Sequence, residues 1–256
     1  MAFFREKKAH SNDRIDELRL LDENTPFAIN EAFRALYTKV LYLPIDDKCR
    51  KIALTSAFSG EGKTYISINL AMSLAKNSEN KRVLLIDADM RKPRVARILS
   101  KYYTDGAEKG GLTEYLAGIH EEPNIIKTVI PNFSILFSGK ESSNPIGLIN
   151  TKRMDELIRK CEENYDYIII DTPPVTVVSD ALLFAHKING YIMATRADYS
   201  NVNSLSDAVE AIKNVGGEIF GIVLSSVNPK NSRGSYGYKS YKKGYYFSYS
   251  NDKSKT

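Results

Sequence analysis

The segment SAFSGEGKTY, residues 56–65, holds the residues best suited to chemistry. It follows an apolar run and precedes a helical pattern, which is the setting of a loop that cradles phosphates. Glycines at 60 and 62 let main-chain N–H groups approach phosphate oxygens, and the helix dipole adds attraction. Lys63 is expected to reach the β- and γ-phosphates, and the Thr64 hydroxyl to hold Mg²⁺. The predicted nucleotide-binding residues are Ser59, Gly60, Glu61, Gly62, Lys63, Thr64 and Tyr65.

Three aspartates follow apolar runs elsewhere in the chain. Asp87 and Asp89 lie in VLLIDADMRKP, residues 83–93, and Asp171 lies in YDYIIIDTPP, residues 165–174. Ligands of open α/β sheets bind beyond the carboxyl ends of the strands, so we expect these carboxylates beside the phosphate loop. Acids after a strand can also simply cap the next helix, but together with the loop they favour a catalytic site. The predicted catalytic residues are Lys63, Asp87, Asp89 and Asp171, and the predicted metal ligands are Thr64, Asp87 and Asp171.

A sheet whose strands end at one edge is needed to position these groups. Several candidate strands are continuous apolar runs, which is typical of strands buried on both faces, and helical patterns lie between most of them. The sequence therefore predicts an α/β fold of the P-loop NTPase type, with a mostly parallel sheet flanked by helices. The candidate strands are Ile52–Ser56, Val83–Asp87, Phe133–Phe137, Tyr167–Asp171, Gly190–Thr195 and Ile219–Leu224.

A further helix is predicted over residues 25–43, ahead of the first strand. Thr25 is a candidate cap, Pro26 suits the first helical position, and Pro44 ends the pattern. Glu31 and Arg34 lie off the apolar stripe and are expected to face away from the surface that it covers. The stripe consists of Ile29, Phe33, Leu36, Val40 and Leu43.

The two ends of the chain differ from this middle part. Residues 1–24 are polar and lack apolar periodicity, and residues 228–256 are rich in Ser, Gly, Lys and Tyr, so both are predicted to be flexible. The domain division is therefore an N-terminal segment over 1–24, a P-loop body over 25–227 that includes the helix 25–43, and a tail over 228–256. The tail contains the tyrosines Tyr236, Tyr238, Tyr241, Tyr245, Tyr246 and Tyr249. Such a tail can be a phosphoacceptor or an unmodified interaction segment.

Charge and composition restrict the location and partners. The net charge is +5, but residues 229–256 alone carry +6, so the body is close to neutral and no nucleic-acid-binding face is expected. No apolar run approaches the roughly 20 residues of a membrane span, and the start lacks a signal-peptide core, which predicts a cytoplasmic protein. Cys49 and Cys161 lie far apart outside any CxxC pattern and are expected to be free thiols.

The three motifs and the tyrosine-rich tail resemble the bacterial tyrosine kinases of capsule and exopolysaccharide synthesis. The motifs stand here as Gly60–Thr64, Leu84–Arg91 and Ile168–Pro174. This family lies among deviant P-loop ATPases related to the partitioning ATPases. The resemblance implies ATP and Mg²⁺ as cofactors, autophosphorylation of the tail between subunits, and a ring-shaped homo-oligomer. It also implies a separate membrane-anchored activator that recruits the chain to the inner membrane surface, a cognate tyrosine phosphatase, and regulation of polysaccharide synthesis.

The sequence departs from the family pattern at two places. The family's oligomer-contact motif, E-x-x-R-x-x-R, here reads Glu31, Arg34 and Tyr37, so its last arginine is missing. Glu31 and Arg34 are the predicted interface residues, but they could equally form an ordinary i, i+3 surface pair. In addition, Ser225 follows the last strand where the family commonly has Asn, so contacts with the adenine are expected to differ.

Two other functions remain open on the sequence. An ATPase switch of the chromosome-partitioning or division-site type shares the fold and the ATP chemistry, but it carries a signature lysine at the position of Phe58. The second alternative is a nucleotide-binding scaffold for a polysaccharide assembly complex. ATP turnover and phosphotyrosine formation would distinguish these functions.

Overall fold

A computed structural model describes residues 20–22, 24–197 and 199–227 of the chain, and the described residues up to Ser225 belong to one compact unit. The strands are β1 Arg50–Ser56, β2 Val83–Asp87, β3 Ile125–Lys127, β4 Phe133–Leu136, β5 Tyr167–Asp171, β6 Gly190–Arg196 and β7 Ile219–Ser225. The helices are α1 Phe27–Leu41, α2 Lys63–Asn77, α3 Val95–Ile98, α4 Leu112–Leu116, α5 Pro145–Ile149, α6 Lys152–Asn164 and α7 Val202–Asn214, with 3₁₀ turns at Ala107–Lys109 and Ser179–Phe184.

The seven strands form one sheet in the order β3-β4-β2-β5-β1-β6-β7. Every pairing is parallel except that of β3 with β4, so the mostly parallel sheet expected from the continuous apolar runs is confirmed. All six candidate strands are present, with ends shifted by at most two residues. The short edge strand β3 was not predicted, because its three residues are too few to show a period.

Both faces of the central strands β1, β2 and β5 are largely buried, each against its own apolar core, whereas the edge strand β7 keeps exposed residues such as Ile222 and Leu224. Helix α6 covers one face with four side chains at helical spacing, all of them buried: Met154, Leu157, Ile158 and Cys161. Helix α2 covers the other face and is buried along most of its length, because α1 packs on its outer side. Strands β1, β2 and β5 therefore lie at the centre of the molecule and end at one common edge.

Helix α1 is shorter than predicted. It begins at Phe27, directly after Pro26, and ends at Leu41. Thr25 does not cap it, because Pro26 stands at the cap position and the Thr25 hydroxyl oxygen accepts the Asp22 N–H at 2.9 Å instead of a helix N–H. Within the predicted stripe Phe33 and Val40 are buried, but Ile29 is 40% exposed, since only part of the helix lies against α2.

The predicted flexible N-terminal segment is only partly covered by the described residues, and 1–19 and 23 lie outside them. Where it is described, the segment is held in place: the Leu21 N–H donates to Asn69 Oδ1 at 2.8 Å, and Leu20 and Leu21 pack against the α2 core. Among the described residues, no helix combines the length and the apolarity that a membrane span requires. Cys49 and Cys161 are buried free thiols.

Candidate active site

The phosphate loop connects β1 to α2 and has the backbone that its glycines predict. Gly60 and Gly62 have φ angles of +89° and +93°, a region that residues with a side chain rarely adopt. Gly62 directly precedes the first residue of α2, so main-chain N–H groups of the first turn face the loop without helical partners. A 15-residue helix that starts behind a glycine loop fits the phosphates of a nucleotide.

The side chain of Glu61 holds this loop together rather than facing a ligand. It is buried, it accepts the Phe58 N–H at 2.7 Å, and it also accepts the Ser200 hydroxyl. The Ser225 hydroxyl at the end of β7 donates to the Glu61 carbonyl at 3.0 Å. The loop is thus fixed from the β6 and β7 side, and only the main chain of Glu61 is available for binding a phosphate.

Lys63 lies between two of the predicted aspartates. Its Nζ is 3.1 Å from Asp89 Oδ2 and 3.7 Å from Asp171 Oδ2. Asp171 also accepts the Thr64 hydroxyl at 2.7 Å and the Ser67 hydroxyl at 3.0 Å. Four of the predicted site residues are therefore in contact: Lys63, Thr64, Asp89 and Asp171. Ser67, which the sequence analysis did not select, lies one helical turn after Lys63 and belongs to the same cluster.

Asp87 stands behind this cluster and is completely buried. Its two carboxylate oxygens accept main-chain N–H groups of Asp89 and Val95, both at 3.2 Å. Burial, with the added repulsion of Asp171, raises the pKa of Asp87 to about 8. Burial also raises the pKa of Asp171, against the opposing effect of Lys63.

Lys63 keeps its charge in this buried setting. Burial alone would lower its pKa, but Asp171 and Asp89 outweigh that effect and raise the pKa. A permanently charged lysine at the mouth of the loop is suited to binding the terminal phosphates of a nucleotide.

A cleft of about 710 Å³ opens over the loop. Ser59, Gly60, Gly62, Lys63, Thr64, Tyr65 and Asp89 line it, whereas Glu61, Asp87 and Asp171 do not. Of the three aspartates, only Asp89 is in reach of a substrate hydroxyl as the side chains stand. Tyr65 contributes a half-buried ring that meets Phe33 of α1 edge-on at 5.7 Å.

Arg91 forms an ion pair with Asp180 that no sequence pattern predicts. Its Nε and Nη2 donate to the two oxygens of Asp180 at 2.7 and 2.9 Å, and Asp180 is fully buried. The partners are 89 positions apart, so no local pattern could reveal them. Arg91 thereby anchors the turn after β2, in which Asp89 Oδ1 accepts the Lys92 N–H at 3.1 Å.

The candidate Mg²⁺ ligands include too few carboxylates to form a metal cage alone. Within the described ranges, no cluster of three or more His, Cys, Asp or Glu residues is suited to a metal ion. Mg²⁺ is commonly held by one or two protein groups and by the phosphates of its substrate. The Thr64 hydroxyl, with Asp171 directly behind it, fits this kind of site.

The predicted interface and acceptor residues lie away from the cleft or outside the described part. Glu31 and Arg34 pair with each other at 3.2 Å on the exposed face of α1. Tyr37, at the position of the missing arginine, donates its hydroxyl to the Asn77 carbonyl at 3.0 Å within the same chain. The structure does not describe the residues after 227, so the six tail tyrosines lie outside the described residues.

Comparison with known proteins identifies the family. A family model described as an AAA domain matches residues 49–219. The tyrosine-protein kinase CpsD of Streptococcus agalactiae serotype III is 35% identical over 199 residues, which cover 77% of this chain and 82% of CpsD. Among solved structures, the chimerical protein CapA2B2 has a TM-score of 0.69 at 31% identity and matches 78% of this chain and 85% of its own.

The fold also occurs in a more remote protein. The septum site-determining protein MinD of Pyrococcus horikoshii, solved with Mg-ADP, has a TM-score of 0.56 at 24% identity and matches 69% of this chain and 70% of its own. At that identity the likeness shows the fold alone, whereas CpsD shows the family. The chain therefore belongs to the bacterial tyrosine-protein kinases, built on an AAA-type P-loop domain.

Proposed function

We propose that this chain transfers the γ-phosphoryl group of ATP to tyrosines of its own C-terminal tail and thereby regulates capsular or extracellular polysaccharide synthesis. The observation that carries the proposal is the position of Lys63. Its ammonium group lies beside the phosphate loop, between Asp89 and Asp171, and lines the cleft together with Asp89. The family to which the chain belongs consists of tyrosine kinases, and its tail contains six tyrosines.

The described residues divide the work of binding and proton transfer. Main-chain N–H groups of Ser59 to Tyr65 bind the phosphates, and Lys63 offsets the charge that develops on them. Thr64, whose hydroxyl donates to Asp171, would hold Mg²⁺ with Asp87 buried behind them, and the ion would add charge neutralisation at the phosphates. Asp89 faces the cleft and is the group that orients the acceptor hydroxyl and takes its proton. A free phenol has a pKa of about 10, so it needs such a base at neutral pH.

Transfer between subunits requires self-association. We assign it to the exposed face of α1, where Glu31 and Arg34 lie, and we infer a homo-oligomer that can close into a ring. Since Tyr37 is bonded within its own chain, the contact depends on Glu31 and Arg34 without a third basic group. Replacing Arg34 with Glu should reduce self-association in analytical ultracentrifugation, whereas the same change at an exposed lysine of α7, Lys213→Glu, should not.

The remaining partners follow from the family. We propose a separate membrane-anchored activator that recruits the chain to the inner membrane surface, and a cognate phosphatase that resets the tail. The similarity to a chimerical CapA2B2 protein supports a two-component arrangement. Nucleic acid is not among the proposed partners, because the charge of the body is near zero.

The decisive experiment uses two isotopically distinct chains. A ¹⁵N-labelled Lys63→Met chain is mixed with the unlabelled wild-type chain and Mg·ATP, with and without a cytoplasmic fragment of a candidate activator. Mass spectrometry then locates phosphotyrosine on each chain. Phosphate on Tyr236–Tyr249 of the labelled chain means transfer between subunits, and labelled Lys63→Met chain alone should remain unmodified. Lys213→Met is the matched control and should behave as wild type.

The competing functions give different results in the same reactions. Steady ATP hydrolysis without phosphotyrosine would indicate an ATPase switch. Nucleotide binding with neither hydrolysis nor transfer, even with a working activator, would indicate a scaffold. Either outcome would contradict the kinase proposal.

A further inference from the structure

One side of the cleft is strongly basic. Lys92, Arg94, Arg97 and Lys101 line it, on α3 and the turns that flank it, and we call these four residues the basic wall. They lie in the same cleft as Lys63 and the phosphate loop. None of the kinase steps assigned above uses the basic wall.

The basic wall carries positive charge that is available for binding a ligand. Among the residues described, the side chains of Lys92, Arg94 and Lys101 make no ion pair. The acids that line the cleft are Asp22 and Asp89, and both are engaged elsewhere: Asp22 accepts the Thr25 hydroxyl and the Asn24 N–H, and Asp89 accepts Lys63. The excess positive charge therefore favours an anionic ligand.

The cleft also offers apolar and aromatic surface beside these cations. Tyr102 and Ile98 line it next to Lys101 and Arg94. An anion that consists of phosphate alone would leave these side chains unused. A phosphate carried on an aromatic ring would occupy both kinds of surface, since the ring can pack on Tyr102 while Arg94 and Lys101 bind the phosphate oxygens.

We propose that the basic wall binds phosphotyrosine already formed on the tail of a second copy of this chain, and so holds the next tyrosine of that tail near Lys63. This inference rests on the proposed kinase function for the origin of the phosphotyrosine. Before modification the tail carries +6 and is repelled by the basic wall. Each phosphate adds about −1.5 to −2 charges at pH 7 and reverses that repulsion locally.

The spacing of the tail tyrosines suits such a mechanism. Neighbouring tyrosines of the six are one to four residues apart. An extended chain spans at most about 3.3–3.6 Å per residue, so the next hydroxyl lies within roughly 14 Å of a bound phosphotyrosine. Anchoring the first site raises the effective concentration of the second, and multiple phosphorylation becomes processive.

The test measures peptide binding without catalysis. The full chain is treated with phosphatase, freed of nucleotide, and titrated with fluorescent peptides of residues 241–251 carrying phosphate on Tyr249, phosphate on Ser250, or none. We expect the phosphotyrosine peptide to bind most tightly. The affinity of the unphosphorylated peptide should be lower by about tenfold or more, which corresponds to the loss of one charge-assisted hydrogen bond. Arg94→Gln and Lys101→Gln should each remove much of this preference, whereas Lys213→Gln, an exposed lysine on α7, should leave it. Thermal melts check that each variant folds.

Four results would overturn the proposal. The first is equal binding of phosphorylated and plain peptides, and the second is equal binding of the Tyr249 and Ser250 phosphates. The third is a loss of ATP affinity in Arg94→Gln and Lys101→Gln with no loss of peptide affinity, which would place the basic wall in the nucleotide site. The fourth is that duplex DNA or phosphatidylserine vesicles displace the phosphotyrosine peptide at matched charge, which indicates general polyanion binding. Since the peptides are synthetic and no ATP is present, failure of the kinase proposal would not produce any of these results.

Discussion

Replacing Arg91 with alanine tests whether the turn that carries Asp89 depends on a buried ion pair. The variant would leave the carboxylate of Asp180 fully buried without its only side-chain partner among the described residues. Breaking a buried pair typically costs about 3–5 kcal/mol of the free energy of unfolding. Because the Arg91 side chain is 33% exposed, water can enter part of the vacated space. We therefore expect a loss near the lower end, about 3 kcal/mol.

Urea denaturation of matched variants measures this loss. The double variant Arg91→Ala/Asp180→Ala removes both charges, so it should be more stable than Arg91→Ala alone, with a coupling energy of about 2 kcal/mol. Lys160→Ala breaks an exposed pair with Glu122 and serves as the control, and it should unfold like the wild type. Phosphotransfer by Arg91→Ala should fall as well, because Asp89 loses the turn that orients it.

Two outcomes would contradict the role assigned to Arg91. If Arg91→Ala unfolds within about 0.5 kcal/mol of the wild type, the buried carboxylate is not held by this pair, since surface changes alone give effects of that size. If Arg91→Ala keeps its stability but loses phosphotransfer, Arg91 contacts substrate or a neighbouring subunit and is not an anchor of the turn.

Three further predictions use the same cluster and the thiols. In EDTA without nucleotide, protonated Asp87 should stabilise the fold, because its pKa is raised from 3.8 to about 8. This contribution to the free energy of unfolding should be complete below about pH 4 and should be lost as pH rises through about 8. Thermal melts from pH 5 to 9 should therefore show a smaller decline for Asp87→Asn than for the wild type, and an equal decline would contradict this prediction. Ser67→Ala removes a hydrogen bond to Asp171 and should lower the free energy of unfolding by about 1.5–3 kcal/mol in urea titrations. It should also weaken the binding of Mg·ATP, and unchanged binding would exclude a role of Ser67 in holding Asp171. Burial raises the pKa of Cys49 and of Cys161 to about 12, so iodoacetamide at pH 8 should modify neither thiol until the chain is unfolded, as intact mass would show.

The strands and the charged residues of the site were predictable because each signal was local. Apolar runs that end in Asp87 and Asp171 reveal both a buried strand and its functional end in a few letters. A glycine loop between a strand and a helix is equally local. Ser67 could also have been found, because it follows Lys63 by four positions and so lies on the same face of α2.

Contacts between distant segments could not be read in the same way. Asp180 lies in a 3₁₀ turn after two prolines, and nothing near it in sequence indicates that Arg91 is its partner. The basic wall could not be predicted for a similar reason, because only the fold places its four residues in the same cleft as the phosphate loop. The prediction that Thr25 caps α1 was wrong because the Thr25 side chain bonds to Asp22 instead. Residue propensities do not say which of two nearby partners such a side chain takes.

Ser225 shows how a departure from a family pattern acquires a physical meaning. The sequence indicated only that the residue after the last strand differs from the family's asparagine. In the fold, the Ser225 hydroxyl donates to the Glu61 carbonyl, and a side chain added at Gly62 would lie 3.4 Å from its oxygen. A residue 164 positions away from Glu61 therefore helps to fix the phosphate loop. Because the Ser225 hydroxyl is engaged with this carbonyl, the side chain that departs from the family pattern supports the phosphate loop.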